Sequence, residues 1–441
     1  MSVSRCRPTW VEIDLGACVH NLRRIRERVS RREIWPVVKA DAYGHGAVRV
    51  AQVLTREQVA GFCVATATEG RELRQNGIAA PILVMAGLSP GGRDDPFEMV
   101  VEYGLTAAVP DATTAERLAE AAHRLAIGPA AVHLKIDTGM GRIGVSTDQA
   151  VSLAAALRAE PALSFDGLFS NLATADSYRH DDPGAALVPA QIEQFRQVCR
   201  ALEAESNLPT VRTLANSAGT CHHPSSWDNM AFTGVRPGLA IYGATLTPDA
   251  PCLALRPAMR WMTQIASVRR LPEGATVGYG CLTVLRRPSR IAVLPLGYHD
   301  GLPRALGAGA EVLVRGRRAP LIGRISMDLT LVDVTDVSAA APGDPVVLFG
   351  AAPGSGEEGG GRDSIYADTL AAAVGAVVDG PNAVPHDGQD GAAGRAASRF
   401  SPPTVEEVAA WAETIPHEIL SRVASRVPRQ YVDSAATETS R

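Results

Sequence analysis

Residues 33–39 read Glu-Ile-Trp-Pro-Val-Val-Lys, a short apolar run that is typical of a buried strand and that ends on a lysine. Seven more short apolar or β-branched runs follow it, at residues 61–66, 81–87, 106–109, 131–137, 165–171, 211–216 and 235–243. The segments between them carry apolar residues three and four positions apart, which is the spacing of an amphipathic helix. Strands that alternate with helices form parallel βα units, and eight units within about 250 residues predict a TIM-type (β/α)8 barrel.

The character of the sequence changes after residue 252, where strand-like runs are separated by Gly and Pro turns. We therefore expect an α/β protein with two domains, an N-terminal barrel over residues 1–253 and a mostly-β domain over residues 254–441. A chain of 441 residues, 46% of them hydrophobic, is long enough to build two such cores. Residues 351–403 are rich in Gly, Ala, Asp and Ser, which predicts a poorly ordered insertion.

Composition argues against several classes of protein. The formal net charge is −4 and the basic residues are spread along the chain, so nucleic acid is not an expected partner. Neither a membrane-spanning run of about 18 apolar residues nor an apolar signal core is present, which predicts a cytoplasmic location and no membrane partner. The seven cysteines are scattered and never spaced as CxxC, which favours a reducing compartment over a disulfide or zinc framework, and no metal site is predicted.

Lys39 is the first candidate for chemistry, because a TIM-type barrel keeps its reactive groups at the carboxyl ends of its strands. Burial in an apolar strand lowers the pKa of a lysine and leaves a neutral amine that attaches covalently to a carbonyl group. The alternative from this residue alone is a strand-end lysine whose charge reaches solvent along its apolar stem. The residue type and its position fit both interpretations.

The stretch around this lysine, VVKADAYGHG at residues 37–46, resembles the cofactor-lysine motif of alanine racemases. Eight more stretches resemble that family in the same order, at residues 7–14, 133–142, 215–217, 235–238, 278–280, 297–301, 323–328 and 426–429. Only residues 351–403 lie clearly outside the resemblance. It implies an enzyme that uses pyridoxal 5'-phosphate to interconvert L-alanine and D-alanine, supplies D-alanine for peptidoglycan, and works as a homodimer with active sites shared between subunits.

The resemblance also implies two catalytic bases on opposite faces of the substrate. Pyridoxal phosphate makes the Cα proton of an amino acid removable, while the protein supplies orientation and proton transfer. Lys39 would carry the cofactor and act on the D-isomer, and Tyr279 of the partner subunit would act on the L-isomer. A phenol keeps its proton at neutral pH unless positive charge lies nearby, so Tyr279 requires a cationic neighbour. Taken alone, Tyr279 stands between two glycines and also fits a turn tyrosine buried for packing.

Further residues are implied to hold the cofactor. Its phosphate needs hydroxyls and backbone amides, and the resemblance points to Tyr43, Ser217 and the amides of Gly238 and Leu239. Arg236 matches an arginine that faces the pyridine nitrogen. A guanidinium donates a hydrogen bond but does not give up its proton, so the ring nitrogen would stay largely unprotonated.

Substrate binding is implied for Arg142, which would also bind the phenolic oxygen of the cofactor, and for the backbone amide of Met327. Lys135 matches a lysine that family members carry as a carbamate, an anion that orients the arginine. Without that modification, Lys135 and Arg142 would place like charges together beside a buried strand. Lys135 is therefore a candidate for carbamylation.

Two positions depart from the family pattern. Asn171 stands where the family usually has a histidine, and an amide hydrogen bonds within the cofactor site but stacks poorly on the pyridine ring. Ser425 stands where several members have a tyrosine, and a smaller side chain leaves room for a substrate larger than alanine. We therefore keep two alternatives: a serine or broad-specificity amino-acid racemase, and a catalytically weakened protein that binds pyridoxal phosphate. A decarboxylase is a weaker alternative, because Cys281 is its only candidate proton donor.

Overall fold

The computed structural model describes residues 7–89, 94–179, 181–182, 184–307, 309–351 and 400–434. Strand β1 (Thr9–Asp14) and helix α1 (Leu15–Val29) open the chain. Two compact units form, one of residues 18–255 and the other of the residues up to Ala17 together with the chain from Arg256 onward. Apart from its ends, the predicted insertion at residues 351–403 lies outside the described residues.

The unit of residues 18–255 contains eight parallel strands, each overlapping one of the eight predicted runs. They are β2 (Glu33–Ile34), β3 (Phe62–Val64), β4 (Ile82–Val84), β5 (Thr106–Val109), β6 (Ala130–Lys135), β7 (Leu163–Phe169), β8 (Val211–Thr213) and β9 (Gly234–Val235). Their order in the sheet is β2-β9-β8-β7-β6-β5-β4-β3. A parallel bridge between Val37 and Cys63 closes the sheet, and the Val38 amide donates to the Cys63 carbonyl over 2.8 Å. The predicted TIM-type barrel is confirmed.

Helices alternate with these strands. They are α3 (Ala47–Arg56), α4 (Ala67–Gln75), α5 (Pro96–Glu102), α6 (Ala112–Leu125), α7 (Ala150–Ala159), α8 (Leu187–Ala204) and α9 (Ser217–His222), and a short turn, α2 (Lys39–Tyr43), precedes them. Helix α6 shows why the sequence folds in this way: the Asp111 side chain caps its first turn by accepting from the Thr114 amide over 2.7 Å. Its buried residues Ala115, Leu118 and Ala122 recur at the helical spacing and pack toward the sheet side.

The other unit is mostly β-structure, as predicted. Strands β10 (Met259–Gln264), β15 (Glu311–Val314), β16 (Arg317–Pro320), β18 (Pro345–Phe349) and β19 (Arg429–Val432) form a sheet with β1, in the order β16-β15-β18-β10-β1-β19. A second sheet has the order β11-β14-β17, made of β11 (Ser267–Leu271), β14 (Ser289–Leu294) and β17 (Thr330–Asp333). Strands β12 (Thr276–Val277) and β13 (Thr283–Val284) form a hairpin, and helices α10 (Val405–Trp411) and α11 (Pro416–Ser421) follow.

The N-terminal strand belongs to this second unit. Strand β1 pairs antiparallel with β10 and parallel with β19, and Trp10 packs in a buried cluster with Met262, Leu313 and Val347. The predicted division instead grouped residues 1–253 together. A short apolar strand does not indicate which sheet it will join, because its partners lie some 250 and 420 residues further along the chain, as the pairs Val11–Trp261 and Val11–Arg429 show.

Two cysteines form a disulfide, contrary to the sequence-based expectation. Cys221 and Cys252 are 31 residues apart and their Cα atoms lie 5.5 Å from each other. These two cysteines are far apart in sequence and do not have a CxxC spacing. The folding of the chain brings them together. The cytoplasmic location stays a prediction. Within the described residues no helix has the length and apolar character that crossing a bilayer requires.

Candidate active site

Lys39 begins a left-handed turn. Ala40, Asp41, Ala42 and Tyr43 all have φ between 51° and 55°, a region that costs an L-residue roughly 1–2 kcal/mol. Backbone hydrogen bonds sustain the turn, among them Ala42 N to the Val38 carbonyl at 2.9 Å. The lysine therefore lies past the end of β2, at the start of a strained segment. Strain of this kind, in consecutive residues other than glycine, is typical of functional sites.

Lys39 lines a cavity of about 410 Å³ on the carboxyl-end side of the strands. Lys135, Arg142, Phe169 and Asn171 also line this cavity. Three of the predicted cationic and polar groups are thus brought together with Lys39. A volume of this size lies within the range of roughly 300–1,000 Å³ that is usual for sites of small ligands.

Burial and charge change the pKa of both lysines. Burial, followed by the positive charge of Arg142, lowers the pKa of Lys39, while the carboxylate of Glu69 opposes this shift. Burial, followed by the charge of Arg236, lowers the pKa of Lys135 well below its ordinary value. The amine of Lys135 lies 4.6 Å from the centre of the Phe169 ring. Both amines therefore lose their protons more readily than an exposed lysine.

Arg236 is a buried cation whose guanidinium has three acceptors within the barrel. Its guanidinium donates to the hydroxyl of Thr213, to the carbonyl of Ser170 and, over 2.7 Å, to the Asn171 side-chain oxygen. Burial lowers the pKa of Arg236 to about 10, so it stays protonated at neutral pH. The structure thus brings together Arg236 and Asn171, and it adds Thr213, which no sequence motif singled out.

The residues predicted for the phosphate form one corner of the barrel. The Ser217 hydroxyl accepts hydrogen bonds from the amides of Gly238, at 3.0 Å, and Ala240, at 3.1 Å. Two backbone donors thus converge on one oxygen, as an anionic oxygen requires. Ala240 joins the predicted set, and Leu239 lies between the two donors at the start of the 3-10 turn Leu239–Tyr242.

Tyr43 borders the same corner. A Cβ atom added to Gly238 would lie 2.5 Å from the Tyr43 hydroxyl oxygen, so this approach requires glycine. The Tyr43 ring lies against that of Tyr242, whose hydroxyl donates to the Val37 carbonyl over 2.8 Å. Burial raises the pKa of Tyr43. Its phenol therefore stays protonated and able to donate a hydrogen bond.

Tyr279 and Met327 lie in the mostly-β unit and are exposed. Tyr279 is 70% exposed and begins a 3-10 turn between Gly278 and Gly280, both of which have positive φ. An added Cβ on Gly280 would lie 3.6 Å from the guanidinium of Arg324, so a cation lies beside this turn. A cationic neighbour of Tyr279 is expected from the sequence, but no sequence motif points to Arg324.

Met327 is paired with the loop that carries Tyr298. The His299 amide donates to the Met327 carbonyl over 3.1 Å, and Met327 is 51% exposed. Asp300 anchors this loop: it is fully buried and accepts from Arg7 over 2.7 Å. The segment that presents the Met327 amide is therefore held by an ion pair whose carboxylate is buried and whose guanidinium is partly exposed.

Both parts of the chain match known family models. The model described as "Alanine racemase, N-terminal domain" matches residues 13–246, and "Alanine racemase, C-terminal domain" matches residues 258–378. The second match reaches residue 378, so part of the segment at residues 351–403, which we had set outside the resemblance, lies within the family.

Curated relatives and solved structures that are similar to this chain belong to the same family as these models. The chain is 39% identical over 378 residues to the alanine racemase of Sorangium cellulosum, covering 84% of this chain and 95% of the relative. It is 35% identical to alanine racemase 2 of Caldanaerobacter subterraneus, covering 97% and 95%. The crystal structure of alanine racemase from D-cycloserine producing Streptomyces lavendulae superposes with a TM-score of 0.79 at 32% identity, covering 98% of both chains.

A TIM-type barrel with a half-buried and a buried lysine beside its cavity, together with a matched strand-rich domain, defines the class of protein: an enzyme that racemises amino acids. The chain belongs to the alanine racemase family. The family predicted from the sequence motifs is confirmed.

Proposed function

We propose that this protein interconverts L-alanine and D-alanine with pyridoxal 5'-phosphate as cofactor and with two bases. The observation that carries the proposal is the cavity where Lys39, with its lowered pKa, meets Arg142, Lys135 and Asn171. Covalent attachment of an aldehyde cofactor requires an amine that gives up its proton more readily than an exposed lysine. The product, D-alanine, would serve peptidoglycan synthesis.

The residues of the barrel fit this cofactor. Its phosphate matches the corner where the amides of Gly238 and Ala240 converge near Tyr43 and Ser217, with Leu239 between them. Its aldehyde matches Lys39. When bound, the cofactor supplies a conjugated ring that accepts the electron pair left behind by the Cα proton.

Lys39 and Tyr279 divide the proton transfers. Lys39 would hold the cofactor and would move the Cα proton on the face of the D-isomer. The partner subunit's Tyr279 moves the proton on the opposite face, and the guanidinium of Arg324 lies beside the turn that carries this tyrosine. Because Tyr279 is exposed on its own subunit, we infer a head-to-tail homodimer in which each barrel receives the tyrosine of the other chain.

Arg236 would hold the pyridine nitrogen. Its guanidinium donates a hydrogen bond without transferring its proton, because its pKa of about 10 keeps it charged at neutral pH. By keeping its own proton, Arg236 would limit how strongly the ring accepts electrons. This favours return of the proton to Cα over side reactions such as transamination. Asn171, which accepts from Arg236, holds that guanidinium in place.

Arg142 would bind the substrate carboxylate and the phenolic oxygen of the cofactor, together with the amide of the partner subunit's Met327. We infer that Lys135 becomes carbamylated. Its neutral amine adds to carbon dioxide, forming an N–C bond and releasing one proton to solvent. The lowered pKa of Lys135 supplies that neutral amine, and the resulting anion offsets the charges of Arg142 and Arg236.

A serine or broad-specificity racemase is the second candidate. Asn171 and Ser425 are both smaller than the residues that the family usually places there. Ser425 is exposed on the mostly-β unit, so it would act on a pocket of the partner subunit. This alternative keeps Lys39 and Tyr279 as the bases and changes only the substrate.

The experiment is isotope exchange. Purified protein with pyridoxal phosphate is incubated with L-alanine or L-serine in deuterium oxide, and Cα deuteration and product chirality are followed together. With L-alanine we expect both Cα deuteration and inversion to D-alanine. We also expect a bound-cofactor absorbance that is lost in Lys39→Ala. Deuteration without inversion would remove Tyr279 from its role. Neither event, despite absorbance that depends on Lys39, would favour the weakened cofactor-binding protein, and faster inversion of serine would favour the broader racemase.

A further inference from the structure

Glu69 forms a capping box at the start of helix α4. Its amide donates to the Thr66 hydroxyl over 3.3 Å, and the Thr66 amide donates to the Glu69 carboxylate over 3.2 Å. This reciprocal pair satisfies two of the free donors at a helix start and by itself needs no further role.

The same carboxylate has two more partners, and both bonds are shorter. The oxygen that serves Thr66 also accepts from the Ala65 amide over 2.7 Å. The other oxygen, Oε1, accepts from the Ala40 amide over 2.8 Å. Ala40 directly follows Lys39 and is 29 residues away from Glu69 in the chain. The capping glutamate therefore links the end of β3 to the left-handed turn.

We propose that Glu69 is a positioning residue for Lys39: through the Ala40 amide it fixes the peptide from which the lysine side chain emerges. The inference rests on the proposed function, in which Lys39 carries the cofactor. The backbone hydrogen bond from Ala42 to Val38, described above, joins residues that are close together in the chain. The bond to Glu69 instead ties the first residue of the strained segment to another βα unit of the barrel.

The negative charge of Glu69 also acts on the pKa of the Lys39 amine. The carboxylate raises the pKa of Lys39, against burial and Arg142, which lower it. Removing the charge would therefore lower the pKa of Lys39 further and increase its neutral fraction. Glu69→Gln keeps the shape of the side chain, loses the charge, and replaces one acceptor oxygen with an amide group that cannot accept from a backbone N–H.

Three variants separate positioning from helix capping. Glu69→Ala removes every bond of the carboxylate, Glu69→Gln removes its charge and one acceptor, and Thr66→Ala removes the hydroxyl cap while leaving the bond to Ala40. Each apo-protein is titrated with pyridoxal phosphate, following the absorbance of the lysine-bound cofactor. Borohydride reduction and peptide mass spectrometry then identify Lys39 as the modified residue. Circular dichroism and thermal melting check that each variant folds.

We expect Glu69→Ala to weaken cofactor attachment about tenfold, the equivalent of one hydrogen bond to a charged group. In Glu69→Gln the pH midpoint of attachment should move to lower pH, because the pKa of Lys39 falls when the carboxylate is neutralised. Thr66→Ala should melt earlier yet attach the cofactor as the wild type does. If both Glu69 variants attach the cofactor as Thr66→Ala does, with the same pH midpoint, the inference is overturned.

The behaviour of the wild-type protein distinguishes a failure of the proposed function from a failure of the role proposed for Glu69. If wild-type protein shows no cofactor absorbance that depends on Lys39, the proposed function fails and this inference fails with it. If the wild type attaches the cofactor at Lys39 and Glu69→Ala does so equally well, only the positioning role of Glu69 fails.

Discussion

The left-handed turn after Lys39 gives a prediction whose sign is unusual. Replacing Ala40 by glycine should stabilise the protein, although glycine normally destabilises a helical segment. Ala40 has φ 51° and ψ 51° and its side chain is exposed, so the substitution removes the cost of the left-handed conformation without emptying a buried site. The bond from the residue 40 amide to Glu69 is unaffected, since glycine keeps that donor.

The magnitude follows from two opposing contributions. Relief of the left-handed conformation gains roughly 1–2 kcal/mol, whereas the greater freedom of glycine in the unfolded chain costs about 0.4–1 kcal/mol. The net expectation is a stabilisation of about 0.5–1 kcal/mol. For a unit of this size, that corresponds to an increase in Tm of roughly 1–4 °C.

A matched control uses the same change in a right-handed helix. Ala155 is exposed in the middle of α7, and Ala155→Gly should lose about 1 kcal/mol. Urea unfolding of both variants as apo-proteins, followed by the fluorescence of Trp35 and Trp227 in the barrel unit, gives the comparison. If Ala40→Gly destabilised the protein as much as Ala155→Gly does, the argument from a strained left-handed turn would be refuted.

Three further outcomes are expected. Asn171→Ala should weaken cofactor binding about tenfold or more, because it leaves the buried guanidinium of Arg236 one acceptor short; unchanged binding in a spectroscopic titration would argue against the pairing. With ¹³C-labelled bicarbonate, NMR should show a carbamate carbon whose signal grows as pH rises through the lowered pKa of Lys135, and a signal that persists in Lys135→Ala would contradict this assignment. Reducing the disulfide between Cys221 and Cys252 should cost roughly 3–4 kcal/mol, read from guanidinium midpoints with and without dithiothreitol, for a loop of 31 residues.

The count and order of the barrel strands could be predicted because each strand is a local apolar run bounded by turn residues. Lys39 could be located for the same reason, at the end of such a run. The left-handed turn that follows it could not, since Ala40 and Ala42 have no preference for that conformation. Only Gly44 and Gly46, which have φ of 80° and 91°, hint at unusual backbone there.

The other features that sequence reasoning missed depend on contacts between distant parts of the chain. Strand β1 finds its partners in a sheet built mainly from the last third of the chain, and the bond from Ala40 to Glu69 joins two βα units. Glu69 and Thr66 form a recognisable helix-capping pattern. This pattern accounts for Glu69 from its neighbours in sequence and gives no indication that its carboxylate also binds the Ala40 amide. Periodicity and motifs describe neighbours in sequence, so they identify the groups at the site better than the bonds that hold them.

We propose that each active site takes Lys39 from one subunit and Tyr279 from the other. It can be tested with a hybrid dimer in which one chain carries Lys39→Ala and the other Tyr279→Phe, purified with two different tags. We expect each parent homodimer to be inactive and the hybrid to racemise alanine at roughly half the wild-type rate, because one of its two symmetric sites is intact. A hybrid that is as inactive as its parents would show that the two residues act within one chain. It would contradict an active site shared between subunits.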